Sequence, residues 1–407
     1  LALMSSFRNK KKTALTLVSL GIGGVLYMLA TFWVSSTDKE SYARQGEFAY
    51  GEFVIDYSYN LVETAENGEM ELRAEHPMGG SLVGEIENID GVERVIPVES
   101  LPVAFETHDD DGNVRVGVVS EERAETLRNI VQEGYLSYDD MVKDDSIITT
   151  DGGVWEEVYG WKLEDGDEVA FTWYDGQQER EKSFNVCGII DADDFSRVSD
   201  GQPGDYTLSF LLPDVVLREM AGNAGLTGTL VVKTDADKDE QIEDGLNMLL
   251  EEYPYYSLST LRENILETES MFTLLFSVMV GLSLFVIVFA LINLLNTLIT
   301  NILTRGREFA MLQSVGMTRK QLAKMLRMEG LTLSAGNLLI TLVIGTAAGY
   351  AMIWLLRYFG ADYMYFVFPV WFFLGYAVFI LLVPVLITEY MVRRFQRQTL
   401  VERLREE

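Results

Sequence analysis

The chain has 407 residues, with 32 Lys and Arg against 62 Asp and Glu and a formal net charge of −30. Its single cysteine, Cys187, excludes an internal disulfide and a cysteine-based zinc site, and no nucleic-acid partner is expected of so acidic a chain. The charge is not spread evenly: residues 36–268 hold 54 acidic and 16 basic side chains, a net of −38, whereas the remainder holds 8 and 16, a net of +8. An acidic domain and a basic-flanked apolar scaffold are therefore joined in one polypeptide.

The first apolar run covers about 13–35, behind Arg8, Lys10, Lys11 and Lys12. Its apolar core is too long for a typical secretory signal and no small-residue cleavage site follows, so it reads as a membrane span. The chain opens with Leu, and LALMSSFRNKKKT reads as mid-protein sequence or as a start close to the first span.

Residues 36–268 alternate strand and helix signals, which predicts an α+β domain of about 230 residues, large enough to be stabilised by burial alone. VERVIPVES and PVAFET read as two short strands with a proline between them. DEVAFTWYDGQQEREKSFNVCGII reads as a hairpin around Asp175-Gly176 and places Cys187 in a strand. TGTLVVKT predicts a strand, DKDEQIEDGLNMLLEEY a helix with Ile242, Leu246, Leu249 and Leu250 on one face, and PYYSLSTL a further strand; this succession suits half of a ferredoxin-like layer. The run from Asp109 to Asn113 lacks the alternating ligands and closing Glu of a calcium loop and reads as a solvated turn. Asp191, Asp193 and Asp194 offer a small cation site as the sharper reading, with a plain acidic group as the favoured one. Neither His76 nor His108 sits with a nucleophile at a catalytic spacing, and no nucleophile elbow or H-E-x-x-H is present. No catalytic, cofactor-binding or metal-ligating residue is assigned.

Three further apolar runs, about 271–303, 331–356 and 366–387, each exceed the roughly 20 residues a helix needs to cross a bilayer. The expected fold is thus a membrane protein with four transmembrane helices and the α+β domain between the first and second. The interiors of these runs carry no Asp, Glu, Lys or Arg, which argues against a channel or a secondary transporter. Arg305, Arg307, Arg319, Lys320, Lys324 and Arg327 lie between the second and third runs, and Arg393, Arg394, Arg397, Arg403 and Arg405 follow the fourth. With four spans all the basic clusters fall on one side, the cytoplasm, and residues 36–268 fall outside. Ser19 with Gly23, and Gly345 with Gly349, have the small-xxx-small spacing that lets membrane helices approach closely.

The most specific stretch is NTLITNILTRGREFAMLQSVGMTRKQLAKMLRME, residues 296–329. A helix leaves the bilayer at Arg305 and Arg307, turns at Gly316 and restarts after Thr318, a good N-cap. In the restart Leu322, Met325 and Leu326 share one face and Lys320, Lys324 and Arg327 the other, a pattern suited to a partner's groove or to anionic lipid. Arg305 and Glu308 are spaced to pair across one turn.

This stretch resembles the FtsX/MacB-type ABC transporter permeases. Their pattern R-x-x-E-x-(A/G)-x-L-x-x-x-G-(M/A)-(T/S)-x-x-Q is filled by Arg305, Glu308, Ala310, Leu312, Gly316, Met317, Thr318 and Gln321. The resemblance implies a permease subunit of the bacterial cytoplasmic membrane, or the C-terminal half of a double-length one. It implies segments 1–35 (N-terminal segment and first span), 36–268 (MacB-like outer domain, with a β-rich insertion over about 140–215), 269–395 (FtsX-like module) and 396–407 (tail). A dimeric cytoplasmic ATPase would drive it, because the chain contains no phosphate-binding P-loop. Residues from Met317 to Arg327, including Leu322, Met325 and Leu326, would contact that ATPase. A second permease module, as a homodimer or as the missing N-terminal half, and membrane lipid complete the implied partners. The family's cargoes include lipid, lipoprotein, peptide and drug. The alternative is a non-transporting transmitter that activates a cell-wall hydrolase or a sensor kinase.

Overall fold

In chain order, α1 (Lys10–Ser36) and α2 (Lys39–Ala43) precede β1 (Phe53–Tyr57), and α3 (Tyr59–Thr64), α4 (Gly68–Glu75) and α5 (Gly80–Glu87) link β1 to β2 (Val92–Thr107). There follow β3 (Asp110–Val119), α6 (Glu121–Leu127), β4 (Val131–Gly134), α7 (Tyr138–Lys143), β5 (Ser146–Asp151), β6 (Glu168–Tyr174), β7 (Glu179–Asp191) and β8 (Leu208–Pro213). The chain continues with α8 (Asp214–Ala221), β9 (Thr227–Thr234), α9 (Asp239–Leu250), β10 (Tyr256–Thr260), α10 (Leu261–Thr304), α11 (Gly306–Ser314), α12 (Arg319–Tyr358) and α13 (Val370–Gln396). This computed structural model describes residues 10–107, 110–151, 162–191, 194–195, 208–235, 238–304 and 306–396. It divides into two units, 43–266 and the pair of segments 1–42 and 267–407.

Within 43–266, four strands lie in the order β10-β1-β9-β2, with β1 antiparallel to both β10 and β9, and β2 antiparallel to β9. With helices crossing from β1 to β2 and from β9 to β10, this is a complete ferredoxin-like layer, of which the sequence had suggested one half. Ile242 and Leu246 of α9 are fully buried against Phe53, Ile55, Leu230 and Val232. The alternation of TGTLVVKT produces this packing, because every second side chain of β9 turns to the helices.

Between the second and third strands of that layer the chain builds a second body. Strand β2 pairs with β3, β3 with β8, β8 with β5, β5 with β7, β7 with β6, and β6 again with β2, which closes a six-stranded ring. Phe105, Phe171, Phe184 and Phe210 share its core, with ring centroids 5.1 to 5.8 Å apart. The β-rich part therefore starts in the second half of β2, well before residue 140. The two short strands expected around the prolines are one 16-residue strand. Pro97 lies in a stretch whose one neighbour is β9, and Pro102 in one whose one neighbour is β3, so a residue without an N–H is tolerated at both. The expected hairpin joins β6 to β7 through residues 175–178, where Asp175 accepts from the Gln177 and Gln178 amides and Gly176 takes a φ of +90°.

Where the two bodies share β2, a buried charge cluster ties them. Arg73 on α4 is 0% exposed and donates to the carbonyls of Ser100 (2.7 Å) and Leu226 (2.9 Å). It also pairs with Glu69, which accepts from Arg115 of β3 at 2.7 Å. Gly228 is required beside it, since a Cβ there would fall 2.0 Å from Arg73 Nη2. Burial disfavours the charged Glu69, but Arg73 and Arg115 outweigh it and hold the carboxyl below its ordinary value.

The other unit is helical. Two stretches, Leu261–Phe289 and Lys320–Tyr358, are long and apolar enough to cross a membrane, and Gly21–Ser36 and Val370–Val383 are shorter apolar stretches. Helix α1 packs on α12 where side chains are missing: a Cβ on Gly349 would lie 2.3 Å from Phe32, one on Gly345 3.0 Å from Met28. Ile287, Leu291, Leu333, Tyr376 and Ile380 bring α10, α12 and α13 into one buried cluster. The connection after α12 is laced to the end of α1, with Tyr365 N donating to Ser36 O (2.8 Å) and Asp38 N to Tyr363 O (3.0 Å).

Replacing Glu69 by Ala leaves Arg73 buried without its carboxylate and should cost about 3–5 kcal/mol of stability at neutral pH. Because the folded-state pKa of Glu69 is depressed, its contribution is complete above the ordinary value of 4.5 and is lost as pH falls through the lower folded value. Denaturation of both proteins across pH checks this: the gap between them should close on acidification, and a pH-independent gap would contradict it.

Candidate functional site

The residues singled out by the sequence gather at the break between α11 and α12. Helix α11 ends with Gly316 N donating to Gln313 O (3.1 Å) and Met317 N donating to Leu312 O (3.0 Å). That pair of bonds is a Schellman motif, which places Gly316 in the left-handed region at φ +108°. One residue later Thr318 caps α12. Its hydroxyl accepts from Gln321 N (3.3 Å) while Gln321 Oε1 accepts from Thr318 N (2.9 Å), a complete capping box. Stop and start signals occupy adjacent residues, so the turn has almost no slack.

The turn folds α11 back onto the start of α12. Phe309, Leu322, Ala323 and Leu326 are buried together, with Met317 and Met325 packed against them. This changes the reading of the apolar face. Leu322 and Leu326, expected to enter a partner's groove, are 1% and 5% exposed because they fill the inside of the hairpin. What the hairpin presents instead is its tip and its polar side. Val315 is 89% exposed, Met311 and Leu312 are exposed beside it, and Lys320, Gln321, Lys324 and Arg327 are exposed along α12. Phe309 and Val315 carry no mark in the sequence beyond their distance from Gly316. Arg327 reaches α13, pairing with Glu389 at 2.7 Å.

The remaining assigned residues divide as follows. Glu308 lies in α11, though its side chain is outside the described set, and Arg305 lies outside the described residues altogether. Gly345 and Gly349 face α1 as given above. Gly23 faces α10 instead, where a Cβ would meet Val286 and Ile287 at 3.4 and 3.5 Å, and the side chain of Ser19 is not among those described. The close approach of α1 to α12 uses Gly24 and Gly21, neighbours that the four-residue spacing did not select.

In the acidic unit, His76 stacks on Tyr255 with ring centroids 3.8 Å apart, and its carbonyl accepts from Tyr57 (2.8 Å) and Tyr256 (3.0 Å). His108, Asp109 and Asp193 lie outside the described residues; Asp191 accepts from Asp194 N at 3.2 Å. Among the described residues no group of three or more His, Cys, Asp or Glu is placed to hold a metal. Burial pushes the Cys187 thiol up to about 11, which keeps it protonated and unreactive at neutral pH.

Comparison with known proteins bears on both units. Residues 280–400 match the family described as FtsX-like permease C-terminal, and this segment is a domain of that family. The chain is similar to the extracellular domain of the noncanonic ABC-type transporter YknZ from Gram-positive bacteria, with 15% identity and a TM-score of 0.25 over 52% of this chain and 100% of that one. It is similar also to the periplasmic region of MacB from Actinobacillus actinomycetemcomitans, with 14% identity and a TM-score of 0.28 over 54% of this chain and 93% of that one. No curated protein matches the chain.

Replacing Thr318 by Ala removes the cap and should cost about 1 kcal/mol, confined to the first turn of α12. Hydrogen exchange checks this directly: the amides of residues 319–322 should exchange several times faster, while those of 330–350 stay unchanged. Equal acceleration throughout α12 would contradict a local cap.

Proposed function

We propose that this chain is the permease component of an ABC transporter of the FtsX/MacB type and works by mechanotransmission. In this reading α1, α10, α12 and α13 cross the cytoplasmic membrane of a bacterium. Residues 36–268 lie outside, and the hairpin and the basic flanks lie inside. The segments 1–35, 36–268, 269–395 and 396–407 then act as first span, outer domain, permease module and tail. A dimeric ATPase on a separate polypeptide binds the hairpins of two modules, either two copies of this chain or this chain and an N-terminal half.

The observation that carries the reading is the hairpin. A Schellman stop, a capping box and a private apolar core make it a rigid projection, and it directly follows a 44-residue helix. A rigid tip with a bare Val315 and flanking lysines suits a groove in a protein whose own motion must be passed on. A floppy loop would absorb that motion. The charge pattern supports the orientation, since the basic clusters sit beside the hairpin and at the end of α13 and beyond. At the other ends of α12 and α13 and in the connection between them, Trp354, Tyr358, Tyr365 and Trp371 are exposed, as aromatic side chains at a membrane–water boundary are.

A variant carrying Val315→Asp with Lys320→Glu and Lys324→Glu leaves the buried face of the hairpin intact. The permease-stimulated part of ATP hydrolysis by the partner should fall to the basal rate, with hydrogen exchange of residues 43–266 unchanged. Undiminished stimulation would defeat the assignment of the hairpin.

A further inference from the structure

One face of α12 contradicts its surroundings. Ser334, Asn337 and Thr341 recur at helical spacing on the side that packs into the bundle, and they are 1%, 0% and 0% exposed. They lie among apolar groups: Leu333 belongs to the buried cluster of this unit with Ile287, Leu291 and Ile380, and the half-buried Leu338 packs against it. Among the described residues one side chain from another helix answers them. Tyr376 of α13 donates its hydroxyl to Asn337 Oδ1 at 2.8 Å. Among the described residues the other end of that amide, Nδ2, makes no hydrogen bond, and neither does Ser334 Oγ. Turning the amide over does not help, because one end would still face Tyr376 and the other nothing.

Helix α1 is cut away to accommodate the group. A Cβ on Gly24 would fall 2.1 Å from Thr341 Oγ1 and 2.5 Å from Tyr376 Oη, so any larger residue there would displace both hydroxyls. Three helices thus converge on a set of neutral polar atoms whose hydrogen-bonding capacity exceeds what they use on one another. Each buried polar group without a partner costs about 1–3 kcal/mol. Water is the ligand whose chemistry closes the set: it accepts from an amide N–H or a hydroxyl, donates to an oxygen, and carries no charge into an apolar interior. A buried water commonly makes about three hydrogen bonds to groups of this kind. A cation is a poorer fit, because the site offers no carboxylate and its open amide end is a donor.

We propose that Ser334, Asn337, Thr341 and Tyr376, beneath Gly24, form a buried water-binding site in the helical unit. It rests on the packing of α1, α12 and α13, and not on the transporter reading, so either can fail alone.

X-ray hydroxyl-radical footprinting of the full chain in detergent tests it, because radiolysis of a bound water oxidises the side chains around it even where bulk solvent is excluded. Tyr376, which is 4% exposed, should be oxidised at a rate comparable to the exposed Tyr358 and Tyr390 in the same sample. A variant with Ser334→Ala, Asn337→Leu and Thr341→Val removes the polar partners of water together, which is tolerated far better than removing one. In it the oxidation of Tyr376 should be lost while that of Tyr358 and Tyr390 is kept. Protection of Tyr376 in the unaltered chain overturns the proposal whatever the variant does, and so does oxidation that persists in a folded variant. Should the variant not fold, the unaltered chain decides alone.

Discussion

A helix in an apolar environment must satisfy its backbone hydrogen bonds within itself, and α10 does so without interruption for 44 residues. At 1.5 Å per residue it is about 66 Å long, twice the hydrocarbon thickness of a bilayer. Its first turn is anchored in the ferredoxin-like layer, where Leu261 N donates to Glu52 O (2.8 Å), Asn264 Nδ2 to Ala43 O (2.7 Å) and Glu263 N to Thr260 Oγ1 (3.1 Å). Its last residues lead, one residue later, into the hairpin. One continuous helix therefore runs in the chain from the ferredoxin-like layer to the residue before the hairpin.

Stiffness at the two ends has different sources. In the acidic unit it comes from Arg73, whose guanidinium holds two backbone carbonyls and Glu69 where the ferredoxin-like layer meets the ring of strands. In the hairpin it comes from backbone conformation: Gly316 reaches a φ that other residues avoid, and the capping box fixes the chain immediately afterwards. One joint uses buried charge and the other uses capping, which fits a surface turn that must stay rigid without a large core.

Much of this was legible in the sequence, and the failures have physical reasons. Gly316 and Thr318 declare themselves because helix ends have local chemistry, and Ile242 and Leu246 because one face of α9 is apolar. The closed ring was not legible, since its pairings join strands far apart in the chain, such as β2 with β6. The prolines misled because a break in a strand depends on neighbours, and Pro97 and Pro102 each have a neighbour on one side only. Arg73 looks like any surface arginine until Ser100 and Leu226 are brought to it. Leu322 and Leu326 look like a docking face because amphipathicity reveals an apolar stripe without naming what covers it; Phe309 covers it here.

In the proposed function, α10 carries motion between the hairpin and residues 43–266. Three glycines inserted after Glu269 would keep both ends intact while breaking the rod between them. Hydrogen exchange of residues 43–266 should be compared with the partner ATPase bound, with and without a non-hydrolysable nucleotide. A nucleotide-dependent change is expected in the intact chain and should disappear in the insertion variant. The same change persisting through the glycines would show that α10 does not transmit it.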